Sequence, residues 1–578
     1  MSSPKRDDTQ KIENINTDSS SHASLAAGDA KVHISARTII AVAAVCLIFS
    51  AQLLALVGAG LLARYMAKDL GAPTLSVWFS SCIVIVTLST ILPISQAADY
   101  WGRKYLILGT TAFGVVGSIM ISRSQNIATA IAGFVVTGVA LGCQSICYAI
   151  PSEVLHRKHR AHGQAAANVA SGIGAVVGVL VGGALVRQNN EGWRIYWYLS
   201  MALFALGFIG VFFGYNPPKR EEEVAYNSLE KIRRMDWVGS GLVATGLVLL
   251  VVALQYSGNP YPFVDGHVMG PFISGIVCLI GFGLWEWKGT SEGLLDHKLF
   301  GHRNFPLAVV GFFIEGVSFL TVSNYFAFEI SFLKHVNTFN AGLPFAVLFL
   351  ASMATAFACG FYTTWTRQIR EPIVAGFLLL IVFAILMAFF KASLSMAHAY
   401  GYAVIGGGGL GFILNSVMVA AHMGTPADMI SLSSGLATAT RSLGGAIGLA
   451  INNAIFSNSL QKELSRKITA AVLPLGFNPR QLPALFGALA SQNRAAVAAI
   501  PGMTPQIAGA AAGGLEEAYR LSFRKLWICC AAFSAAGALC SVFLKNPKAE
   551  FTEHIDAPVE VSVLQAQEEI EKKQGYRV

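Results

Sequence analysis

Residues 95–105 read SQAADYWGRKY. This short charged turn separates two apolar runs, near 76–97 and 105–122. A helix needs about 20 mostly apolar residues to cross about 30 Å of hydrocarbon, and each run supplies them. Gly102 suits the turn itself. Asp99 is placed to pair with Arg103, four residues on, or to sit at a helix N-terminus, where a carboxylate is favoured. Arg103 and Lys104 hold the turn on one side of the membrane. The segment therefore reads as a latch at the base of a membrane hairpin.

Working outward, the same pattern repeats. Fourteen apolar runs lie near 39–63, 76–97, 105–122, 127–150, 164–186, 193–214, 236–255, 269–287, 305–328, 341–363, 372–391, 396–420, 433–456 and 525–544. The run 433–456 is the least apolar, and its small residues mark it as a buried helix. The composition agrees. Of 578 residues 54% are hydrophobic and only 13% charged, and the mean hydropathy is +0.56. Soluble domains carry about 25% charged residues, so an ordinary cytosolic enzyme and a disordered scaffold are both excluded. A β-barrel would show segments of alternating hydrophobicity, whereas these runs are continuous. The fold class is an all-α membrane protein.

Loop charge orients it. Arg103/Lys104, Arg157/Lys158/Arg160, Lys219/Arg220/Lys231/Arg233/Arg234, Lys288/Lys298/Arg303 and Arg367/Arg370 fall on one side. The other side carries only Arg64/Lys68, Arg123, Arg187/Arg194, Lys334 and Lys391 in its short loops. The positive-inside rule makes the first side cytoplasmic. An even number of spans then puts both tails there. The net charge of +9 is accounted for at membrane flanks and calls for no nucleic-acid partner. Residues 1–37 are read as a polar tail with no cleavable signal. Residues 215–235 form a charged cytoplasmic linker, and 457–524 a long external loop whose Ala-rich stretches are expected to form helices lying on the membrane face. Residues 545–578 are a polar tail, with a short helix over 558–573. All nine cysteines fall inside predicted spans, with no metal-ligand spacing, so neither a stapled external loop nor a metal site is expected.

At this point the chain resembles the major facilitator superfamily. Asp99, Gly102, Arg103 and Lys104 match its G-x-x-x-D-x-x-G-R-[RK] signature, with Ser95 at the leading glycine. Further segments, among them YAIPSEVLHRKHRAHGQAAANVASGIGAVVGVLVGGAL, GWRIYWYL, MDWVGSGLV, LLDHKLFGHRNF and TRSLGGAIGLAINNAIF, are similar to the fourteen-spanner drug:proton antiporter group and its fungal trichothecene-efflux branch. The resemblance implies two six-helix bundles, 38–214 and 289–544, with two extra central helices over 236–288. It also implies alternating access around a central site. Gly174, Gly178, Gly182 and Gly183 match the antiporter signature G-x-x-x-G-P-x-x-G-G, with Val179 at the proline. By spacing alone they are a packing stripe that lets a neighbouring helix approach. Two family charges are missing: Ala55 replaces an intramembrane Asp in the first span, and Phe134 an Arg in the fourth.

Charges inside spans are costly and mark function or a partner. Glu315 lies deep in the ninth span and is the leading proton- or substrate-contacting carboxyl. Ser318, three residues on, shares its face. Asn324 falls half a turn away, and Asn415, Asn452 and Asn453 are further cavity candidates. Glu329 reads as interfacial. Glu153 reads as a partner of the basic cluster HRKHR (156–160). Arg441 is placed at a cytoplasmic gate opposite Asp99. Asp236 is an N-cap, and His156 and His159 need no catalytic role. Gly406–Gly409 lacks the GK[ST] of a phosphate loop, so no nucleotide drives the chain directly, and no cofactor is called for. The expected activity is export of small apolar molecules, such as fungal secondary metabolites, mycotoxins or drugs, by proton antiport from a monomer. The expected address is the plasma membrane, with vacuolar or vesicular membrane as alternatives. Siderophore-iron import and a flux-free sensor are the competing readings. A membrane enzyme would need a catalytic cluster such as HExxH, and none is present.

Overall fold

The computed structural model describes residues 36–556, apart from 73–74, 189–190, 219–223, 225–226, 257–260, 262–263, 291–292, 337, 427–428, 491–498 and 553. Most of the N-terminal tail, the middle of the linker and the helix expected over 558–573 lie outside the described residues. Among the described residues, fourteen long helices follow one another. They are α1 (Ala36–Leu61), α2 (Val77–Trp101), α3 (Arg103–Arg123), α4 (Ile127–Val154), α5 (Arg160–Gln188), α6 (Gly192–Gly214) and α7 (Trp237–Tyr256). After these come α8 (Gly266–Lys288), α9 (Asn304–Lys334), α10 (Thr338–Thr366), α11 (Arg370–Ala388), α12 (Met396–Met423), α13 (Ile430–Val472) and α14 (Pro505–Val542). Thirteen are long and apolar enough to cross a membrane; α13 alone is not. Its serines, Thr438, Arg441 and Asn452 lower its apolarity, and it is buried instead by α2, α4, α9 and α14.

Packing sorts the helices into two halves. The α1–α6 set is tied together by α1 against α5 and α6, and by α3 against α4 and α6. The α9–α14 set is tied by α9 against α13 and α14, and by α10 and α11 against α12. The α7–α8 hairpin leans through α7 on α2 and α13, at the seam. Large apolar side chains such as Phe113, Val116, Leu206, Ile209, Val277 and Ile280 point outward, as a surface facing lipid requires. The chain is a multi-pass membrane protein.

One residue turns α2 into α3. Gly102 has φ 86°, a conformation that costs other residues a Cβ clash. The fourth span differs from expectation. It reaches Val154 and is broken at Gly142–Cys143 into Ile127–Leu141 and Gln144–Val154. Much of the expected external loop 457–524 is helical. Helices α13 and α14 run on through it as rods of 43 and 38 residues. Their ends make a separate apolar knob, in which Ile468 and Val472 meet Leu485, Ile507 and Ala511. Alanine favours helix over loop, and the i, i+4 apolar pairs give each rod a face to bury.

The glycine stripe of α5 packs as its spacing predicts for three of its members. A Cβ on Gly174 would strike the Ser50 carbonyl of α1, while Gly178 and Gly182 lie under Tyr196 and α1 side chains. Gly183 faces Phe339 of α10 instead. Gly174→Leu is expected to cost at least about 1–3 kcal/mol, because backbone blocks the new atoms. Thermal unfolding in detergent checks this, with Gly60→Ala, which enters open space, as the unaffected control.

Candidate functional site

The α2–α3 turn, the α4–α5 loop and the start of α13 meet at one end of the molecule, the latch face. There Arg103 Nη2 lies 2.6 Å from Asp99 Oδ1 and 2.8 Å from Glu153 Oε1, with the guanidinium 1% exposed. Glu153 thus pairs with Arg103, while Arg160 of the HRKHR cluster, where its partner was expected, lies within its field. The reason is reach: Pro151 and Glu153 end α4 directly over the α2–α3 turn. The two acids share this one guanidinium, and the α13 N-terminus adds a donor to the first of them. The Leu432 amide donates to Asp99 Oδ2 at 3.0 Å. Amides in a first helical turn have no intrahelical partner and carry positive partial charge. The triad belongs to the first half and α13 to the second, so this bond closes the latch face. Lys104 stands apart, donating to the Phe212 carbonyl of α6 at 2.9 Å.

Two more bridges span the halves at this face, and sequence reading missed both. His422 of α12 is buried between Ser152 Oγ of α4 (2.8 Å from Nδ1) and Ser434 Oγ of α13 (2.7 Å from Nε2). Arg160 Nη1 donates to the His422 carbonyl. The only sequence signal is a histidine at the end of an apolar run. The second bridge is the chain after α14, expected to be a free polar tail. Asn304 exchanges hydrogen bonds with Lys545, and Asn546 accepts from the Ile369 and Arg370 amides at the start of α11. The strap then crosses to the first half. The Arg157 and Lys158 amides donate to the His554 and Thr552 carbonyls, each at 2.9 Å. The buried Asp556 carboxylate takes Arg157 (2.8 Å) and Arg160. Asp556→Asn removes the carboxylate that both guanidinium groups touch and leaves them only the more distant Glu550 and Glu153. The expected loss is about 1.5–3 kcal/mol, the worth of charged hydrogen bonds. Faster tryptic cleavage at Lys548 is the measurement.

Deeper in the second half, Arg441 grips Glu315. Its Nη2 donates to Oε1 at 3.1 Å and its Nε to Oε2. Glu315 is fully buried. This corrects the placement of Arg441 opposite Asp99. Close helix approach makes the pair possible. A Cβ on Gly316 would collide with the Arg441 carbonyl, and one on Gly444 with the Phe313 carbonyl. The guanidinium lies 4.6 Å from the Phe319 ring centroid, a cation–π contact. Tyr148 of α4, hydrogen-bonded to Asn168 of α5 at 3.3 Å, feels both charges, so the pair looks toward the seam.

Along the same face of α9 a column of polar contacts follows. Ser318 meets Ser534 (3.3 Å), Thr321 accepts from Asn452 (2.6 Å) and Tyr325 donates to Asn453 (3.3 Å). Glu329 Oε2 accepts from the Trp527 indole at 2.6 Å. Glu329 is 1% exposed, and α9 runs on five residues past it to Lys334. Asn324 is exposed and bonds to the Leu320 carbonyl of its own helix, outside the column.

The family model described as Major Facilitator Superfamily matches residues 40–449. The chain belongs to that superfamily. It is 25% identical over 481 residues to the efflux pump dotC of Dothistroma septosporum, covering 83% of this chain and 79% of that one. It is 24% identical over 400 residues to the efflux pump FUS6 of Gibberella moniliformis, covering 68% and 70%. Among solved structures, the human organic anion transporter MFSD10 superposes with TM-score 0.52 at 12% identity, covering 86% of this chain and 99% of that one. The proton:xylose symporter XylE does so with TM-score 0.53 at 10% identity, covering 87% and 96%; these show the shared fold. As a major facilitator protein the chain is a transporter and not an enzyme. Where the antiporter group carries charges, this facilitator has apolar packing. Phe134 stacks on Phe79 at 4.8 Å and meets Trp197 edge-on, and Ala55 is fully buried. Of the charged groups described above, Glu315, Arg441 and Glu329 belong to the second half and the buried Arg103 and Glu153 to the first.

Proposed function

We propose that this major facilitator protein exports small apolar molecules by proton antiport, alternating between a closed and an open latch face that is cytoplasmic. The carrying observation is the bond from the Leu432 amide to Asp99 within the Asp99–Arg103–Glu153 triad. It joins the halves at one end, and opening that end has to break it. Gly102 sets the turn that presents the triad, while Arg441 and Glu315 offer a charge pair at the seam where a substrate passes. The fungal relatives named as efflux pumps support the direction of transport. The reading also places the chain in the plasma membrane as a monomer, with small molecules, protons and lipid as its partners.

Uptake of a panel of labelled apolar toxins into inside-out vesicles, with and without an imposed pH gradient, tests it. Gradient-driven accumulation is the expected result. Flux that ignores the gradient would replace antiport with facilitated diffusion. No flux for any compound, together with uptake of ferric siderophore by whole cells, would replace export with import.

A further inference from the structure

The two buried acids of α9 differ in what compensates them. Glu315 has a guanidinium on both oxygens. Glu329 has a neutral indole on one oxygen. The surroundings of Glu329 are aromatic: Trp527 packs on Phe383 of α11, and Phe326 on the same ring. From α13 and α14, Phe456 and Phe523 crowd the neighbouring Phe328. The ionisable groups nearby are engaged elsewhere. Tyr325 bonds to Asn453 and Tyr519 stacks on Phe332. Lys334 donates to the Ala392 carbonyl, Arg524 lies over Phe389, Arg520 holds Glu517, and Lys525 reaches Glu463. A carboxylate buried without a counter-charge costs several kcal/mol, and taking up a proton removes that cost.

Glu329 also shares a face with Glu315. It follows Glu315 by fourteen residues, nearly four turns, so both sit on one face of α9, about 21 Å apart. Hydroxyl or amide pairs occupy the turns between them. One of these, Asn452, is fully buried, and its Oδ1 has no hydrogen-bond partner among the described residues.

We infer that Glu329 is the proton-binding group of transport, on the face of α9 that also carries the Glu315–Arg441 pair and the polar pairs at Ser318, Thr321 and Tyr325. The inference rests on the antiport reading above. A proton from water at the end opposite the latch forms an O–H bond on Glu329. When that bond breaks, the proton passes to water on the same face of α9, lined by the polar pairs at Ser318, Thr321 and Tyr325, and from water to Glu315. Neutral Glu315 no longer offsets Arg441, whose charge then faces the seam. Release of the proton from Glu315 toward the latch face restores the pair. One proton enters, one leaves, and nothing is oxidised or reduced.

Two measurements on the full-length chain test this. Dicyclohexylcarbodiimide attacks protonated carboxyls in apolar surroundings. Mass spectrometry of the labelled, detergent-purified protein should find the adduct on the peptide holding Glu329, declining as pH rises and absent from Glu329→Gln. An adduct on Glu315 instead, or none at Glu329 at any pH, overturns the inference. Rhodamine 6G flux in inside-out vesicles is the second. In Glu329→Gln, gradient-driven accumulation should fall on the order of 100-fold, as loss of a proton-transferring group does, and the pH profile of dye exchange should flatten. Accumulation and profile unchanged from wild type would leave antiport standing and remove Glu329 from it. Wild-type exchange that ignores the gradient would end the antiport reading, and Glu329's part in coupling with it.

Discussion

Arg441→Met should be among the most damaging single substitutions in the second half. It leaves Glu315 fully buried without the guanidinium that holds both of its oxygens. Breaking a buried pair from one side typically costs about 3–5 kcal/mol. The methionine keeps the length and some of the contact with Phe319, so the loss reports the charge more than the packing. Glu315→Gln alone should cost a similar amount, because it strands the guanidinium. The double variant Arg441→Met/Glu315→Gln should regain much of the stability, since two neutral groups replace two charges. Unfolding midpoints of the four proteins close the cycle. A double variant that lost the sum of the singles would show that the two side chains act independently.

Arg103→Met should have the second large effect, and its mark is conformational. One guanidinium answers two carboxylates there, at 2.6 and 2.8 Å. Its removal sets Asp99 and Glu153 against each other and drives the latch face open. A shift of about 3–5 kcal/mol changes the ratio of closed to open forms by roughly 10² to 10³ or more. Hydrogen–deuterium exchange across residues 430–436 reads this directly, because the Leu432 amide is protected by Asp99. Asp99→Asn keeps an oxygen for that amide and should raise exchange far less. Equal exchange in the two variants would mean that the charge network does not hold the latch.

The membrane hairpin at 95–105 was legible because everything needed to read it is local. Apolar runs flank a glycine that the turn requires, and Asp99 and Arg103 lie four residues apart across it. The same holds for most of the spans, whose apolarity owes nothing to distant partners. Partner choice was not legible. Arg441 lies 126 positions from Glu315, and Asp556 lies 399 from Arg157. Nothing in either neighbourhood names the other. The burial of Glu329 was not legible either, because Trp527, which donates to it, lies 198 positions on. The strap was hidden because many of its anchors are backbone groups, which every sequence possesses.

Helix α13 has a mechanical consequence. One unbroken rod of 43 residues bears Leu432 near one end, Arg441 a short way in, and Ile468 and Val472 at the other. At 1.5 Å per residue, about 14 Å separates Leu432 from Arg441 and about 47 Å separates Arg441 from Val472. Pivoting about its glycine-tight crossing with α9, the rod is a lever with a short arm at the latch and a long arm ending in the knob. A displacement that frees Leu432 is magnified about threefold at Val472. A distance label or a clamping antibody fragment on the knob would therefore read, or stall, a transport cycle whose chemistry lies deep inside the molecule.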